Sequence, residues 1–452
     1  MSEIIPAIFK AYDVRGLYPG EIHEMVAHEI GGAYVTYLKA KRIGVSRDMR
    51  VSSPAIMDAF VAGARGQGCD VVDYGMQATD MIYFAVVRDG LDGGVQITAS
   101  HNPKQYNGIK MVRKGAQPLS GDEGIGEIRD MVVAKATPPK APRAGTLTQA
   151  NVLDDYTKTV MGFIDQSLIK PFNVVLDAAN GMAGLVAPRL FDQLPCKTTR
   201  LAFTPDGTFP NYEANPLIEE NRKVVTERVL REKADIGIAW DGDADHVFFI
   251  DGNGEFIAGD FITALLAEAF LIRQPGQAVV YDVRASYAVK DTVAKYNGSA
   301  HMNRVGHAFF KGRMRETNSV FGGEVTGHYY FRDFYYCDNG FIPALMILEL
   351  MSRKNQTLAQ LLEPLRQKYF ISGEINTRVA DMSLCKAKID GLAAKYADGH
   401  VYMMDGVSVE YPTWHFNVRA SNTEPLIRLN LEATTQAEME AKRNEVLGYI
   451  RS

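Results

Sequence analysis

Ser100 stands beside His101, where a short apolar segment ends in a polar loop. Residues 93–97 are glycine-rich and apolar, and Pro103 stops the strand that they predict from continuing. An exposed serine in such a turn can carry a phosphoryl group. Its chemistry therefore depends on whether other segments supply a cation, phosphate donors and a sugar site.

Three carboxylates, those of Asp241, Asp243 and Asp245, alternate along a loop that directly follows an apolar strand. Clustered carboxylates repel each other, and a hard divalent cation is the usual remedy. Oxygen ligands favour Mg²⁺ or Ca²⁺ over zinc, and three of them leave room for a phosphoryl oxygen. The EF-hand spacing is absent. The alternative interpretation is a solvated acidic turn.

A second group of residues matches the terminal oxygens of a phosphate. Residues 419–425, RASNTEP, combine the guanidinium of Arg419 with two hydroxyls and an amide, and Arg428 follows closely. Such donors suit a dianion. The alternative is a polar turn between strands, because Ser, Asn and Thr are common in turns.

A glycine-rich loop at residues 322–328, GGEVTGH, offers the carboxylate of Glu324, the hydroxyl of Thr326 and the imidazole of His328. This set suits the vicinal hydroxyls of a sugar. Taken alone, the segment is more typical of a hairpin without a binding role.

Weaker signals lie elsewhere in the chain. His307 and Lys311 are four residues apart and could touch a phosphate, although a lone histidine beside aromatics is more often structural. Lys110 could return toward the serine loop through an Asn-Gly turn, although a single lysine is more often a solvated charge. Tyr12 and Arg15 carry little signal in isolation.

Composition narrows the function classes. The 452 residues are 46% hydrophobic and 23% charged, with a net charge of −5. This gives no reason to expect a nucleic acid or an acidic membrane as a partner. Four scattered cysteines predict neither a zinc site nor disulfides, and a reducing cytoplasm is the natural location. The N-terminal residues lack the regions of a signal peptide.

Helix and strand patterns alternate through most of the chain, which predicts α/β units with largely parallel sheets. A proline-rich linker covers residues 138–145. The predicted helices cover residues 21–41, 152–166, 261–273, 341–354 and 436–451. The predicted strands cover residues 70–74, 94–98, 173–177, 235–240, 247–251, 278–282, 414–419 and 427–433.

These patterns predict four domains. Residues 1–145 hold the serine loop, residues 146–251 the acidic loop, residues 252–368 the glycine-rich loop and residues 369–452 the phosphate donors. The first three domains are predicted to be α/β and the last α+β.

Together, these segments closely resemble the α-D-phosphohexomutase family, in particular its bacterial phosphomannomutase/phosphoglucomutase branch. The resemblance covers nearly the whole chain, and residues 98–103, TASHNP, carry its most specific motif. It implies three related α/β domains followed by a C-terminal α+β domain similar to the TATA-box-binding fold. Each domain would contribute one loop to a central cleft.

The resemblance also implies a reaction. Ser100 would carry a phosphoryl group beside Mg²⁺ held by Asp241, Asp243, Asp245 and a phosphate oxygen. Transfer to a hexose monophosphate would give a 1,6-bisphosphosugar, which reorients and rephosphorylates the serine. Glucose 1,6-bisphosphate or mannose 1,6-bisphosphate would act as activator.

The same resemblance implies which side chains serve this reaction. Lys110 and His328 are the candidate bases, with His101 and His307 in support. Glu324 and Thr326 would contact O3 and O4 of the sugar, whose configurations glucose and mannose share, whereas galactose is epimeric at C4. The implied substrate-binding residues are Tyr12, Arg15, His246, Arg284, His307, Lys311, Glu324, Thr326, Arg419, Ser421, Asn422, Thr423 and Arg428.

Two positions depart from the family pattern. His246 stands where the family has arginine, which predicts weaker phosphate anchoring and a group that titrates near neutrality. Thr326 replaces the usual serine and keeps its hydroxyl.

Three other functions remain open. One is a phosphoglucosamine mutase, one a metal-dependent sugar phosphatase and one a non-catalytic sugar-phosphate sensor. Hexose phosphates are the expected substrates in the main interpretation. We expect no nucleic-acid, membrane or obligate protein partner and a cytoplasmic location.

Overall fold

The structure, a computed structural model, describes residues 4–121, 123–421 and 425–452. The helices within these ranges are α1 (Glu24–Leu38), α2 (Ser53–Gly66), α3 (Thr79–Arg88), α4 (Ile125–Val133), α5 (Leu153–Met161), α6 (Ala183–Phe191), α7 (Glu219–Glu232), α8 (Gly259–Arg273), α9 (Tyr287–Lys295), α10 (His307–Thr317), α11 (Phe341–Lys354), α12 (Leu358–Arg366), α13 (Met382–Lys395) and α14 (Gln436–Arg451). None of these helices combines the length and apolar character that a membrane span requires.

The strands of the same ranges are β1 (Val14–Leu17), β2 (Arg42–Arg47), β3 (Asp70–Met76), β4 (Gly93–Ile97), β5 (Tyr106–Arg113), β6 (Gln117–Pro118), β7 (Leu147–Gln149), β8 (Asn173–Asp177), β9 (Lys197–Leu201), β10 (Ile236–Trp240), β11 (Val247–Asp251), β12 (Ala278–Asp282), β13 (Ser299–Asn303), β14 (Phe321–Gly323), β15 (Tyr329–Phe331), β16 (Cys337–Asp338), β17 (Phe370–Ile371), β18 (Ile375–Arg378), β19 (His400–Tyr402), β20 (Val407–Glu410), β21 (Trp414–Ala420) and β22 (Leu426–Ala433).

The chain forms two compact units. The first contains Met1–Ile257 and Thr326–Leu358, and the second contains Ala258–Val325 and Ala359–Ser452. The serine and acidic loops belong to the first unit. The phosphate donors and Glu324 belong to the second.

In the first unit, one sheet has the strand order β1-β5-β4-β2-β3-β7, with β6 beside β5, and another has the order β11-β10-β8-β9. Helices α1 and α2 pack closely together, and their apolar faces contribute to the core over the larger sheet. Buried apolar side chains recur three to four positions apart along each helix and form the face that packs.

The expectation of largely parallel sheets is wrong for part of this unit, because β1–β5, β5–β6 and β15–β16 pair antiparallel, and two further antiparallel pairs carry the reactive loops. Strands β4 and β5 pair antiparallel, as do β10 and β11. Their connections are short loops, and short loops join antiparallel strands because a parallel pair needs a long crossover. These two connections carry Ser100 and the three aspartates, so each reactive loop is the turn of an antiparallel pair.

In the second unit, β13, β12 and β14 pair in parallel. A second sheet follows the order β17-β22-β21-β20-β19, with β18 also on β22, and its strand pairs are antiparallel. Helices α13 and α14 supply apolar side chains to the core of that sheet. The predicted α/β and α+β characters of these segments are confirmed.

Several predicted elements match the structure residue for residue, among them β8, β11, β12, α11 and α14. Helix α5 is shorter than predicted, because the chain leaves the helix at Gly162. Helix α1 ends at Leu38, where Lys39 takes a left-handed conformation with φ of 52° and caps the helix.

Candidate active site

The hydroxyl of Ser100 faces the acidic loop. Its Oγ donates a 2.6 Å hydrogen bond to Oδ2 of Asp241, and Nδ1 of His101 lies 3.2 Å from the same Oγ. Ser100 is only 1% exposed, so the expectation of an exposed serine is wrong. The left-handed backbone at Ser100, with φ of 51°, turns the loop so that its side chain lies against the aspartates.

The three aspartates converge on one point. Asp241, Asp243 and Asp245 are buried, and each places a carboxylate oxygen within 4.8 Å of the others. Oδ1 of Asp243 has no hydrogen-bond partner among the described residues. An all-oxygen set with a buried, unpaired carboxylate oxygen fits a hard divalent cation such as Mg²⁺.

The titration behaviour of these carboxylates reflects their crowding. Burial and the neighbouring Asp245 raise the pKa of Asp243 to about 7. Burial also favours the neutral form of Asp241, but His246 outweighs it and holds the pKa of Asp241 well below its usual range. The loop therefore concentrates negative charge that needs cationic partners.

Lys110 supplies one of these partners. It lies on β5, and its Nζ donates to Asp243 at 2.8 Å and to Asp245 at 2.5 Å. Burial alone favours the neutral amine, but the two carboxylates outweigh it and raise the pKa of Lys110. This direction is opposite to the lowered pKa that a lysine base needs.

His246 supplies a second cation. Its Nδ1 lies 2.9 Å from Oδ2 of Asp241 and 2.9 Å from Oδ1 of Asp245. Burial lowers the pKa of His246, yet these carboxylates raise it to about 10. The expectation of a group that titrates near neutrality is therefore wrong for this arrangement.

His328 lies against His246, with ring centroids 3.5 Å apart and nearly parallel planes. Its Nε2 is 3.4 Å from Oδ1 of Asp245. The structure thus brings His328 to the acidic loop, although the two are more than eighty residues apart in the chain.

Arg15 reaches the serine loop from β1. Its Nη1 donates to Oδ1 of Asn102 at 2.6 Å, and its Nη2 donates to Oδ2 of Asp13 at 2.5 Å. Tyr12 lies on the segment just before β1. The weak sequence signal of Arg15 therefore belongs to a residue that contacts the loop of Ser100.

The second unit contains a cluster of arginines. Arg419 and Arg428 face each other in the register of β21 and β22. Their guanidinium groups lie 3.4 Å from opposite oxygens of the Glu374 carboxylate, and Arg284 lies 3.2 Å from it. Arg284 is also held by Asp282.

Glu374 is a functional candidate that the sequence analysis missed. Burial raises the pKa of Glu374, but the three arginines outweigh it and lower the pKa below its usual range. No motif marks this residue, because it lies 45 residues before Arg419 and 90 after Arg284 in the chain.

The remaining residues that were expected to bind substrate belong to other segments than the serine loop, the acidic loop and the arginine cluster. Oε2 of Glu324 accepts a 3.0 Å hydrogen bond from the backbone of Gly306, next to the start of α10. His307 begins α10, and Lys311 follows one turn later; both are buried. Thr326 belongs to the first unit and Ser421 to the second, while Asn422 and Thr423 lie outside the described residues.

Two further buried residues support the reactive loops. Thr79, at the start of α3, donates its hydroxyl to Oδ2 of Asp243 at 2.6 Å. Arg50 donates to backbone oxygens of the serine loop. Neither stands in a motif that sequence reasoning could single out, because their partners are distant in the chain.

Comparison with known proteins bears on the fold. Four domain models described as phosphoglucomutase/phosphomannomutase match the chain: α/β/α domain I at residues 6–137, domain II at residues 154–254, domain III at residues 258–369 and the C-terminal domain at residues 372–448. The expectation of three α/β domains followed by a distinct C-terminal domain is confirmed.

Similar proteins cover nearly the entire chain. A phosphomannomutase of Escherichia coli is 41% identical over 98% of this chain and 99% of its own. Phosphohexose mutases of Xanthomonas campestris pv. campestris are 41% identical over 99% of both chains. A phosphoglucomutase/phosphomannomutase family protein of Burkholderia thailandensis is 33% identical, with a TM-score of 0.90 over 99% of this chain and 98% of its own. The chain therefore belongs to the phosphoglucomutase/phosphomannomutase family of mutases, enzymes that transfer phosphoryl groups on hexose phosphates.

Proposed function

We propose that Ser100 carries the phosphoryl group in a reversible conversion between the 1- and 6-phosphates of mannose and of glucose. The observation that carries this proposal is the 2.6 Å contact between Oγ of Ser100 and the buried aspartate cluster. A serine without a transfer role would gain from this contact only the hydrogen bond to Asp241. A serine that bears a phosphoryl group gains a cation site.

Asp241, Asp243 and Asp245 would hold Mg²⁺ together with an oxygen of the phosphoserine. Bound there, the ion would neutralise negative charge on the transferring group. The Nζ of Lys110 contacts two of these carboxylates, those of Asp243 and Asp245, and places a further positive charge at the site. The transfer then depends mainly on the alignment of the serine and the sugar hydroxyl.

In the first transfer, the bond from Oγ of Ser100 to phosphorus breaks while a bond from the sugar hydroxyl to phosphorus forms. The hydroxyl proton passes to a base. His328 is the proposed acceptor, with His101 in support, because the Lys110 ammonium is held by two carboxylates. The resulting 1,6-bisphosphosugar reorients and returns its other phosphoryl group to the serine.

The second unit supplies the proposed sugar and phosphate contacts. Arg284, Arg419 and Arg428 surround one carboxylate, an arrangement that equally suits a phosphate dianion. Glu324 and Thr326 are proposed to contact O3 and O4, so glucose and mannose are both accepted. The proposed remaining substrate contacts are Tyr12, Arg15, His246, His307, Lys311, Ser421, Asn422 and Thr423.

We assign these roles to four proposed domains, residues 1–145, 146–251, 252–368 and 369–452. A 1,6-bisphosphate of glucose or mannose is the proposed activator, since it would phosphorylate Ser100 in an enzyme that has lost its phosphoryl group.

An assay of three substrates tests this proposal. Glucose 1-phosphate, mannose 1-phosphate and glucosamine 1-phosphate are each supplied with Mg²⁺ and a trace of the matching bisphosphate. We expect turnover of the first two, little release of inorganic phosphate and no turnover by Ser100→Ala. Preferred turnover of glucosamine 1-phosphate would reassign the substrate. Stoichiometric release of phosphate would identify a phosphatase.

A further inference from the structure

Arg50 is a buried arginine whose guanidinium is directed at the backbone of the serine loop. It lies between β2 and α2, and its side chain is fully buried. Nη2 donates to the carbonyl oxygens of Ser100 at 2.8 Å and Asn102 at 2.6 Å. Nη1 donates to those of Pro103 at 2.8 Å and Tyr106 at 3.0 Å.

These four bonds use every terminal N–H of the guanidinium. They connect one rigid, planar group to four carbonyls spread over seven residues, between the end of β4 and the start of β5. Asp48 holds the other side of the group, since its Oδ2 lies 3.2 Å from Nε of Arg50. Asp48 also accepts from the backbone N–H of Arg50 and from the hydroxyl of Ser53. Asp48 therefore restrains the guanidinium on one side, while the terminal N–H groups bind the loop on the other.

The loop needs such an external support. Ser100 adopts a left-handed conformation that a residue with a side chain seldom takes, and such conformations persist only where the surroundings determine them. The carbonyl that Arg50 binds is also crowded, because a Cβ added to Gly242 would lie 2.7 Å from it. The position of this carbonyl sets the separation of the serine loop from the acidic loop.

We propose that Arg50 is a positioning residue for phosphoryl transfer, which holds Ser100 in its left-handed conformation and so keeps the serine Oγ on the aspartate cluster. The inference rests on the proposed role of Ser100. The proposed role gives Arg50 no contact with the substrate. Arg50 acts on the alignment of the reacting oxygen, and misplacement by about 1 Å costs on the order of a hundredfold in rate.

Lysine cannot replace this arginine. Its ammonium offers three donors on a single nitrogen and cannot span four carbonyls. Arg50→Lys keeps the positive charge but cannot bind all four carbonyls. We therefore expect kcat to fall at least thirtyfold while the KM for glucose 1-phosphate changes less than threefold. The matched control is Arg65→Lys, because Arg65 also donates from the first domain to a backbone oxygen, that of Gly145, away from the serine loop. The control should keep kcat within twofold of the wild type.

Chemical rescue distinguishes a role of Arg50 in positioning the serine loop from a role in the stability of the folded protein. Guanidinium at millimolar concentration should restore the kcat of Arg50→Ala in a saturable manner, whereas sodium at equal ionic strength should not. The inference is overturned if a folded Arg50→Lys keeps kcat within threefold of the wild type, or if both salts act alike. If neither variant of Arg50 folds, Asp48→Asn tests the inference instead. A several-fold lower kcat at unchanged KM supports the inference, and an unchanged kcat overturns it.

The phosphorylation state of the wild-type enzyme distinguishes a failure of the proposed function from a failure of the proposed role of Arg50. Intact mass after incubation with glucose 1,6-bisphosphate shows whether the enzyme carries an added phosphoryl group, and the same measurement on Ser100→Ala assigns that group to Ser100. An unmodified wild type with full activity contradicts the proposed function. A modified wild type together with a fully active Arg50→Lys contradicts only the role of Arg50.

Discussion

At the scale of single residues, Glu374 places a carboxylate against the arginines proposed to bind phosphate. Because its pKa is lowered, it is charged at neutral pH and competes with an incoming anion. Glu374→Gln should therefore bind inorganic phosphate about fivefold more tightly, or about 1 kcal/mol. Isothermal titration calorimetry measures this change.

The matched control for Glu374 is Glu363→Gln, which changes an exposed carboxylate in the same unit that accepts a local hydrogen bond from Gln367. Its phosphate affinity should equal that of the wild type. Weaker binding by Glu374→Gln would show instead that this carboxylate organises the arginines for phosphate.

The crowded carboxylate of Asp243 predicts that Mg²⁺ binding stabilises the fold, and this is tested without an activity assay. A cation that binds only the folded state at a hundred times its Kd stabilises that state by about 2.7 kcal/mol. Mg²⁺ should thus raise the melting temperature of the wild type by several degrees, and that of Asp243→Asn much less. Differential scanning fluorimetry measures both.

Asp333→Asn removes an exposed carboxylate from the same unit and serves as the control for that measurement. It should keep the full response to Mg²⁺. An equal rise in Asp243→Asn would mean that the ion binds elsewhere.

At the scale of elements, the two reactive loops approach each other at Gly242. A Cβ there would lie 2.7 Å from the carbonyl oxygen of Ser100, so one loop must move. Gly242→Ala should lower kcat at least tenfold, as steady-state kinetics would show. Gly448→Ala, in α14, meets no atom within 4 Å and should leave kcat unchanged. An unaffected kcat in Gly242→Ala would contradict the close fit of the loops.

The end of β8 carries a buried carboxylate with a measurable effect on stability. Burial raises the pKa of Asp177 to about 6, although Tyr212 donates a hydrogen bond to it. The folded state therefore binds more protons than the unfolded state between about pH 4 and pH 6, and stability falls as pH rises through that range. The whole effect is about 3 kcal/mol.

Asp177→Asn should remove this fall, so its unfolding free energy relative to the wild type should rise by about that amount from pH 4 to pH 7. Urea midpoints from pulse proteolysis measure it. Asp192→Asn controls for the loss of one surface carboxylate from the same domain. A constant difference between Asp177→Asn and the wild type across this pH range would refute the raised pKa.

At the scale of the whole molecule, periodicity predicts elements well where apolar patterns are regular, as in α11 and β12. It fails to predict the antiparallel pairings of β5 and β11, because strand direction depends on the length of the connection. Local motifs likewise single out Ser100 and the three aspartates. They miss Arg50, Thr79 and Glu374, whose partners are tens of residues or more away in the chain.

The directions in which the pKa values of His246 and Lys110 shift also cannot be predicted from the sequence. A histidine at position 246 predicts titration near neutrality, but its two carboxylate partners raise its pKa to about 10. A lysine near a reactive serine suggests a base, whereas Asp243 and Asp245 outweigh burial and raise the pKa of Lys110. Only the folded arrangement determines these signs.

The central claim is that one phosphoryl group passes through Ser100. The most direct measurement loads the enzyme with ³²P from labelled glucose 1,6-bisphosphate and then chases it with unlabelled mannose 1-phosphate in a quenched-flow instrument. The proposed role of Ser100 predicts a single labelled peptide containing Ser100, which loses its label to hexose phosphate within one turnover. Label on another residue, or label released as inorganic phosphate, would contradict it.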